Sequence, residues 1–389
     1  MTMTPRRGKN TLPPGPDLPE AKTRNGKHGQ NVESGFARKG PGRGLFRPRL
    51  LNGLFGDPVV YCHLAHQGRA VLFDIGDLGP LWSKALHKLS YVFVSHTHLD
   101  HFFDFDRLLR AEMTFLGQRK RPLILAGPPG LARKVASRID SYSWNLLEDP
   151  RPYFLVMEIM SGQNMKAYRV VLENGGRAYA IGKEDLPTED SFDLKACLLA
   201  HGDIESACFA LEERQSWSVR PEALAGMGLK PGKWLDKLLE LKRNDKKEEL
   251  LVPSTSGETR FMSSDLEKKL LVKRPGSKIA FLTDAQDTNE NRKKALEVVR
   301  GADWLFCEAR YLNQDKDLAG QTNHMTISAA AWIAREGGVR LVTPMHAAGR
   351  YADKGTRKMF IHELESSFDK LALYESPVKF DAFESRIIS

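Results

Sequence analysis

The sequence predicts a layered α/β fold. Short apolar runs bounded by turns recur along the chain, and such runs are typical of strands that are buried on both faces. Segments with helical spacing alternate with several of these runs. At four places an apolar run ends directly at His or Asp side chains, and layered α/β folds build their sites at the carboxyl ends of strands.

The elements follow one another from about Phe46 onward. The segment VVYCHLAHQGRAVLFDIGD predicts two strands joined by a turn at Gln67-Gly68. The elements expected after it are a helix near 81–89, a strand at 91–94, a helix at 105–116, a strand in PLILAGPPG, a helix at 133–147 and two or three strands within 153–181.

The first 45 residues differ in composition from the rest of the chain. Residues 1–49 hold 11 Lys/Arg against 3 Asp/Glu, so most of the net charge of +9 lies there. We expect residues 1–45 to be a disordered basic Pro/Gly-rich tail, with affinity for nucleic acid or with no role. Residues 46–389 are expected to form one domain.

A polar segment of about 212–275 interrupts the apolar pattern. It is expected to hold two short helices around Lys230-Pro231-Gly232, followed by a charged loop. We call residues 212–275 the insert. It is either a protruding element that contacts substrate or a solvated excursion without a role.

The stretch YVFVSHTHLDH places His96, His98, Asp100 and His101 within six positions after a strand. No structural role rewards such crowding, whereas imidazole and carboxylate together suit a cation such as Zn²⁺. One cluster offers too few ligands for two metal ions. His201, Asp284 and His346 end three later apolar runs and would supply the others.

These motifs resemble the metallo-β-lactamase fold superfamily and, within it, the tRNase Z-like branch. FDIGD with Asp74, HTHLDH, GPPG (Gly127 to Gly130), AHGDIES and LTDA follow the order of the five superfamily motifs. CEARYL, HMT and HAAGRY resemble branch elements, although CEAR stands where the branch usually has His-Glu-Ala-Thr. The resemblance implies an αββα sandwich, in which two facing mixed sheets carry helices on their outer sides.

The resemblance also implies the role of each residue. His96, His98 and His201 would hold one zinc ion, Asp100, His101 and His346 a second, and Asp284 would bridge them; Mn²⁺ or Fe²⁺ are alternatives. Asp100 would orient or deprotonate the attacking water, and Glu308 would orient His324 as a proton donor. Asp74 would support the ligand loop, and Arg350, Gly127 and Gly130 would contact substrate.

The expected activity is that of a binuclear-zinc phosphodiesterase that removes the 3′ trailer of precursor tRNA. The alternative is a small-molecule hydrolase that acts on cyclic nucleotides, other phosphodiesters or lactones, and a non-catalytic metal-stabilised binding protein is a third hypothesis. The expected partner is RNA or a small phosphodiester, without a membrane, and a homodimer is left open. No apolar run is long enough for a membrane span, and four scattered cysteines favour a cytoplasmic setting.

Overall fold

The computed structural model of the chain describes residues 44–114, 122–145, 153–172, 175–214, 216–274 and 276–373. All of them lie in one compact unit that spans residues 41–389. Most of the expected tail, residues 1–43, lies outside the described residues. Leu45 is buried, and its backbone N–H donates to the carboxylate of Glu213 and to Ser277 Oγ.

The first of two large sheets follows the chain order. Its strands are β1 (Phe46–Leu50), β2 (Val60–Leu64), β3 (Arg69–Phe73), β4 (Leu89–Phe93), β5 (Leu123–Gly127), β6 (Tyr153–Ile159), β7 (Met165–Leu172) and β8 (Gly176–Ile181). The strands β3 to β6 pair in parallel, and the pairs on either side of them are antiparallel. This sheet is therefore mixed.

The second large sheet has the order β17-β16-β15-β10-β9. Its strands are β9 (Phe192–His201), β10 (Ile204–Glu213), β15 (Lys278–Leu282), β16 (Trp304–Glu308) and β17 (Val342–Met345). The strands β15, β16 and β17 run parallel, whereas β10 pairs antiparallel with both β15 and β9. The parallel strands therefore end at one edge of this sheet.

Some helices cover the outer faces of the two sheets, and others lie in the connections between strands and in the insert. The helices are α1 (Ser83–His87), α2 (Leu99–Phe102), α3 (Phe105–Thr114), α4 (Leu131–Asp140), α5 (Pro221–Gly226), α6 (Lys233–Arg243), α7 (Ser263–Leu270), α8 (Asn289–Val299), α9 (Lys316–Gln321), α10 (Ile327–Glu336) and α11 (Lys354–Ser367). One apolar cluster joins the first sheet to α1, α3 and α4, and another joins the second sheet to α8, α10 and α11.

A third apolar cluster lies between the two sheets. Along β4, Tyr91 and Phe93 face this cluster, whereas Val92 faces the helices. Phe73 of the first sheet stacks on Phe281 of the second at 5.2 Å between ring centroids. Two-sided burial of this kind produces the near-continuous apolar runs seen in the sequence. The predicted αββα sandwich of the metallo-β-lactamase type is confirmed.

Two expectations about single elements need correction. The run that ends at His201 is not buried on both faces, because β9 is an edge strand and its burial is uneven. The helix expected at 133–147 is α4, which ends at Asp140. Trp144 Nε1 donates to the carbonyl of Ile139 at 2.8 Å, which satisfies a carbonyl at the end of this helix.

The insert has its own small core. Strands β11 (Ser216–Val219) and β14 (Leu271–Arg274) pair at its base, and β12 (Glu249–Ser254) forms a hairpin with β13 (Gly257–Met262). The helices α5 and α6 match the two expected from the sequence, and α7 is a third. Buried residues form a separate apolar cluster there: Leu229, Trp234, Leu238, Leu241, Leu250, Val252, Leu266, Leu270 and Leu271. The insert is therefore a packed element.

No described helix combines the length and the apolar character that crossing a bilayer requires. This finding covers only the six described ranges.

Candidate metal centre

The first ligands stand just after β4. His96 and His98 lie in the loop that follows this strand, and α2 carries Asp100 and His101. The backbone of Gly76 approaches this helix so closely that a Cβ there would lie 1.9 Å from the carbonyl oxygen of Asp100. Glycine is therefore required at this point, where the FDIGD motif supports the ligand loop.

Three site residues adopt left-handed backbone conformations. The φ angles are 55° at Asp74, 39° at Asp284 and 59° at His346, which lie one or two residues after β3, β15 and β17. Such a conformation costs a residue other than glycine about 1–3 kcal/mol and persists only where surrounding contacts enforce it. Residues of this kind cluster at functional sites, as these three do.

The first ligand group consists of His96, His98, His201 and Asp284, whose ligand atoms all lie within 4.8 Å of one another. Asp284 Oδ2 is 3.6 Å from His96 Nε2 and 3.6 Å from His201 Nε2. Of the four side chains only His98 is exposed. The group therefore forms a largely buried pocket of three imidazoles and one carboxylate.

The second ligand group consists of Asp100, His101 and His346, also within 4.8 Å of one another. Asp100 Oδ2 lies 3.2 Å from His346 Nε2 and 3.6 Å from His101 Nε2. Asp284 Oδ2 is 3.4 Å from His101 Nε2, so this carboxylate borders both groups. The structure thus brings together all seven metal ligands expected from the sequence.

A third cluster consists of Glu308, His324, His346 and Asp284, and hydrogen bonds connect its side chains. Glu308 Oε2 is 2.8 Å from His324 Nδ1, and His346 Nδ1 is 2.7 Å from Asp284 Oδ1. These are hydrogen-bond distances, so shared protons hold the cluster together. Glu308 is fully buried and also accepts backbone N–H bonds from Asp284 and Met325 at 3.1 and 2.7 Å.

Nearby oxygen atoms fix the ligand imidazoles through Nδ1. Asp74 lies 2.8 Å from His101 Nδ1, Ser95 Oγ lies 3.1 Å from His96 Nδ1, and the carbonyl of Asn323 lies 2.9 Å from His201 Nδ1. An acceptor at Nδ1 places the ring proton there and leaves the lone pair of Nε2 for a metal ion. Ser95 and Asn323 were missed from the sequence, because only the fold brings them to the rings.

Burial and charge shift the pKa values of the site. Burial, reinforced by the neighbouring His101, lowers the pKa of His96 to about 2, so that ring is neutral. Burial opposes the charged form of His101 as well, but the carboxylates of Asp284 and Asp74 raise its pKa to about 10. A cation at Nε2 of His101 would take the place of that second proton.

His346 is held between carboxylates and a guanidinium. Burial opposes its charged form, yet Asp284, Asp100 and Glu308 raise its pKa well above the ordinary value. Arg310 Nη1, which can only donate, nevertheless lies 2.6 Å from His346 Nε2. Two donors cannot share this contact, so the geometry favours a neutral ring with its proton at Nδ1.

The chemistry of these residues fits divalent metal ions. His96 Nε2 and His101 Nε2 are buried and have no hydrogen-bond partner among the described residues. A buried nitrogen without a hydrogen-bond partner destabilises the fold unless a metal ion or another group binds its lone pair. Ligands placed tetrahedrally about 2.0–2.1 Å from one zinc ion lie about 3.3 Å apart. The separations of 3.4 to 3.6 Å around Asp284 Oδ2 are close to that value.

The residues expected to contact substrate lie around this edge. Gly127 ends β5, and a Cβ there would lie 2.8 Å from the carbonyl of Val94, which gives this glycine a packing role. Gly130 precedes α4 with φ of 88°. Arg350 is exposed, with its guanidinium 5.8 Å from the ring centre of Tyr351. Substrate contact by Gly127, Gly130 and Arg350 stays a prediction.

The two facing sheets, the outer helices and the ligand groups at one edge define a metal-dependent hydrolase of the metallo-β-lactamase fold. No family model matches the chain. The ribonuclease Z of Deinococcus radiodurans is 27% identical over 287 residues, which are 70% of this chain and 81% of that protein. The ribonuclease Z of Treponema pallidum is 25% identical over 319 residues, 78% of this chain and 86% of that protein.

Two solved structures are also similar to the chain. The short form of human tRNase Z has a TM-score of 0.45 and 15% identity, over 86% of this chain and 96% of that chain. The metallo-beta-lactamase fold protein YhfI from Bacillus subtilis has a TM-score of 0.48 and 13% identity, over 85% and 97%. The motif order and these sequence relatives make the chain similar to the tRNase Z-like branch of the metallo-β-lactamase superfamily.

Substitution Asp74→Asn is expected to weaken metal binding by about 10- to 100-fold, because the amide cannot hold His101 and Ser95 as the carboxylate does. Asparagine tolerates the left-handed conformation, so the fold should persist. The measurement is competition for zinc against a chelating dye. Asp77→Asn, in the same motif but exposed, is the matched control and should bind as wild type does. Unchanged affinity in Asp74→Asn would remove Asp74 from the metal centre.

Proposed function

We propose that this chain is a metal-dependent phosphodiesterase that acts on RNA and removes the 3′ trailer of precursor tRNA. The curated relatives that it matches over most of its length carry the name ribonuclease Z. The observation that carries the proposal is the position of the buried Glu308–His324 pair. The His324 ring lies 4.9 Å from the His201 ring and 5.7 Å from the His346 ring, and so borders both ligand groups.

Each ligand group is proposed to take one zinc ion. His96, His98 and His201 would hold the first, and Asp100, His101 and His346 the second, with Asp284 shared between them. Two bound cations would lower the pKa of water to near neutrality and balance the charge that develops on a phosphodiester.

Asp100 is proposed to accept the proton of the attacking water. Burial opposes its ionisation, but its close contact with His346 and the charge of His101 hold the pKa of Asp100 below its ordinary value. Its side chain is 40% exposed, in contrast to Asp284 at 2%, so water and substrate can reach it. Asp100 is therefore ionised and accessible at neutral pH, as a general base must be.

His324 is proposed to protonate the leaving oxygen. Its Nδ1 lies at hydrogen-bond distance from the carboxylate of Glu308. Burial raises the pKa of Glu308, but the neighbouring His324 lowers it, and the net shift is downward. Glu308 is therefore ionised. The buried carboxylate fixes the orientation of the His324 ring through Nδ1, as in other histidine–carboxylate pairs. The proton on the other ring nitrogen then becomes available to an alkoxide leaving group.

The insert and Arg350 are proposed to contact RNA. Lys230, Lys233, Lys246 and Lys247 of the insert are exposed. Lys237 and Lys242 are instead engaged with acidic neighbours, Glu240 and Glu267. Contacts between exposed lysines and phosphates would make RNA binding depend on salt concentration.

The direct test is cleavage of a precursor tRNA with a 3′ trailer by the zinc-loaded full chain, beside a small chromogenic phosphodiester. Cutting at the trailer junction is expected, together with a loss of at least about 100-fold in Asp100→Ala, which lacks the general base. Asp317→Ala, an exposed carboxylate on α9, is the matched control and should cleave normally.

Other outcomes distinguish the alternatives. Hydrolysis of the small ester alone would retain the metal chemistry and make the chain a small-molecule phosphodiesterase. Near wild-type cleavage by Asp100→Ala would contradict the proposed mechanism.

His324→Ala is expected to slow cleavage by about 10²- to 10⁴-fold without changing the metal content. The readouts are kcat and elemental analysis of the purified variant. His362→Ala, on the exposed side of α11, is the control and should change neither. Loss of zinc from His324→Ala would show that His324 is a metal ligand rather than a proton donor.

A further inference from the structure

Arg310 stands beside the second ligand group. It follows β16, and its backbone is anchored on both sides, through its N–H to the Met325 carbonyl at 3.1 Å and through its carbonyl to the Ala348 N–H at 3.0 Å. Its Nη1 lies 2.6 Å from His346 Nε2. Its Nε is buried and has no hydrogen-bond partner within the described residues. The guanidinium is thus half-buried and directed at a metal-ligand nitrogen.

The contact uses the lone pair that a metal ion would need. A guanidinium has only donors, so Nε2 of His346 must be the acceptor. An imidazole nitrogen has one lone pair in the plane of its ring. The other nitrogen, Nδ1, is 2.7 Å from Asp284 Oδ1 and carries the ring proton. While this contact persists, His346 Nε2 cannot also bind a cation.

The guanidinium and a second cation would also occupy nearly the same place, where their positive charges would repel each other. A zinc ion lies about 2.0–2.1 Å from a ligating imidazole nitrogen, and Arg310 Nη1 is 2.6 Å from the same atom. Asp100 Oδ2 is 3.2 Å from His346 Nε2, so its carboxylate would face either the Arg310 guanidinium or a bound metal cation. Arginine keeps its charge at every accessible pH, and a cation that entered beside it would be repelled.

The first ligand group has no such competitor among the described residues. Its Asp284 Oδ2 faces His96 Nε2 and His201 Nε2 at 3.6 Å, and His96 Nε2 has no partner among the residues described. The two groups therefore differ in how freely a cation can enter. The sequence also differs from the resembled branch at this point. CEAR places an arginine where that branch has threonine, which carries no charge and is much shorter.

We propose that Arg310 is an internal competitor for the second cation position. The resting protein holds one metal ion tightly, at His96, His98, His201 and Asp284. A second ion binds His346 only when Arg310 withdraws. This inference rests on the proposed metal centre and specifies how its two positions are filled.

The test is the metal stoichiometry of the full chain, measured by elemental analysis after dialysis and by zinc titration against an indicator dye. The wild-type protein is expected to retain one zinc ion. Arg310→Thr is expected to retain two, with a dissociation constant for the second about 10- to 100-fold lower than in the wild type, the range seen for groups adjacent to metal ligands. Arg310→Gln removes the charge at nearly constant size and should change in the same direction.

Controls separate this inference from the proposed function, since no RNA is needed. Arg335→Thr, an exposed arginine on α10, should retain one ion, and circular dichroism verifies that each variant is folded. Two tightly held ions in the wild type, or one ion in both folded Arg310 variants, would overturn the role of Arg310 and leave the metal centre intact. No retained ion in any protein would overturn the metal centre itself.

Discussion

Three buried carboxylates, Asp74, Asp284 and Glu308, determine how this site is built, because each is at most 2% exposed. An ionised carboxylate out of water is tolerated only where hydrogen bonds and positive charge surround it. Asp74 is satisfied by Ser95 and His101, and Glu308 by His324 and two backbone N–H groups. Asp74 and Glu308 thereby fix the orientation of the His101 and His324 rings at the two ligand groups. Removing one carboxylate would misplace several ligands at once.

The fold supplies these carboxylates and imidazoles from distant parts of the sequence. The parallel strands β3 to β5 lead to Asp74, to the His96–His101 loop and to Gly127, while β15, β16 and β17 lead to Asp284, Glu308 and His346. Parallel strands present their carboxyl ends at one edge of a sheet, so each sheet delivers one set of polar side chains. The left-handed turns at Asp74, Asp284 and His346 follow directly from these strand ends. The sandwich of two sheets joins the two sets.

The layered fold and the seven ligands could be predicted because their signals are local. Apolar runs show strands buried on two faces, and four ligand-type residues within six positions have no other explanation. Contacts that depend on tertiary packing could not be predicted. The N–H of Asp284 donates to Glu308 only because β15 and β16 are neighbours, and Arg310 meets His346 only because β16 and β17 are. The uneven burial of β9 follows from its place at the sheet edge, and the small core of the insert needs residues from both ends of that segment.

The central claim is that imidazole and carboxylate groups at the joined strand ends hold the metal ion. X-ray absorption at the zinc edge of the zinc-loaded chain tests it most directly. The account predicts nitrogen and oxygen neighbours at about 2.0–2.2 Å, with the outer-shell scattering of imidazole rings. All four cysteines are free thiols, and Cys307 directly precedes Glu308, so sulfur is the competing ligand type in this chain. A sulfur neighbour at about 2.3 Å, or zinc lost on dialysis, would contradict the account.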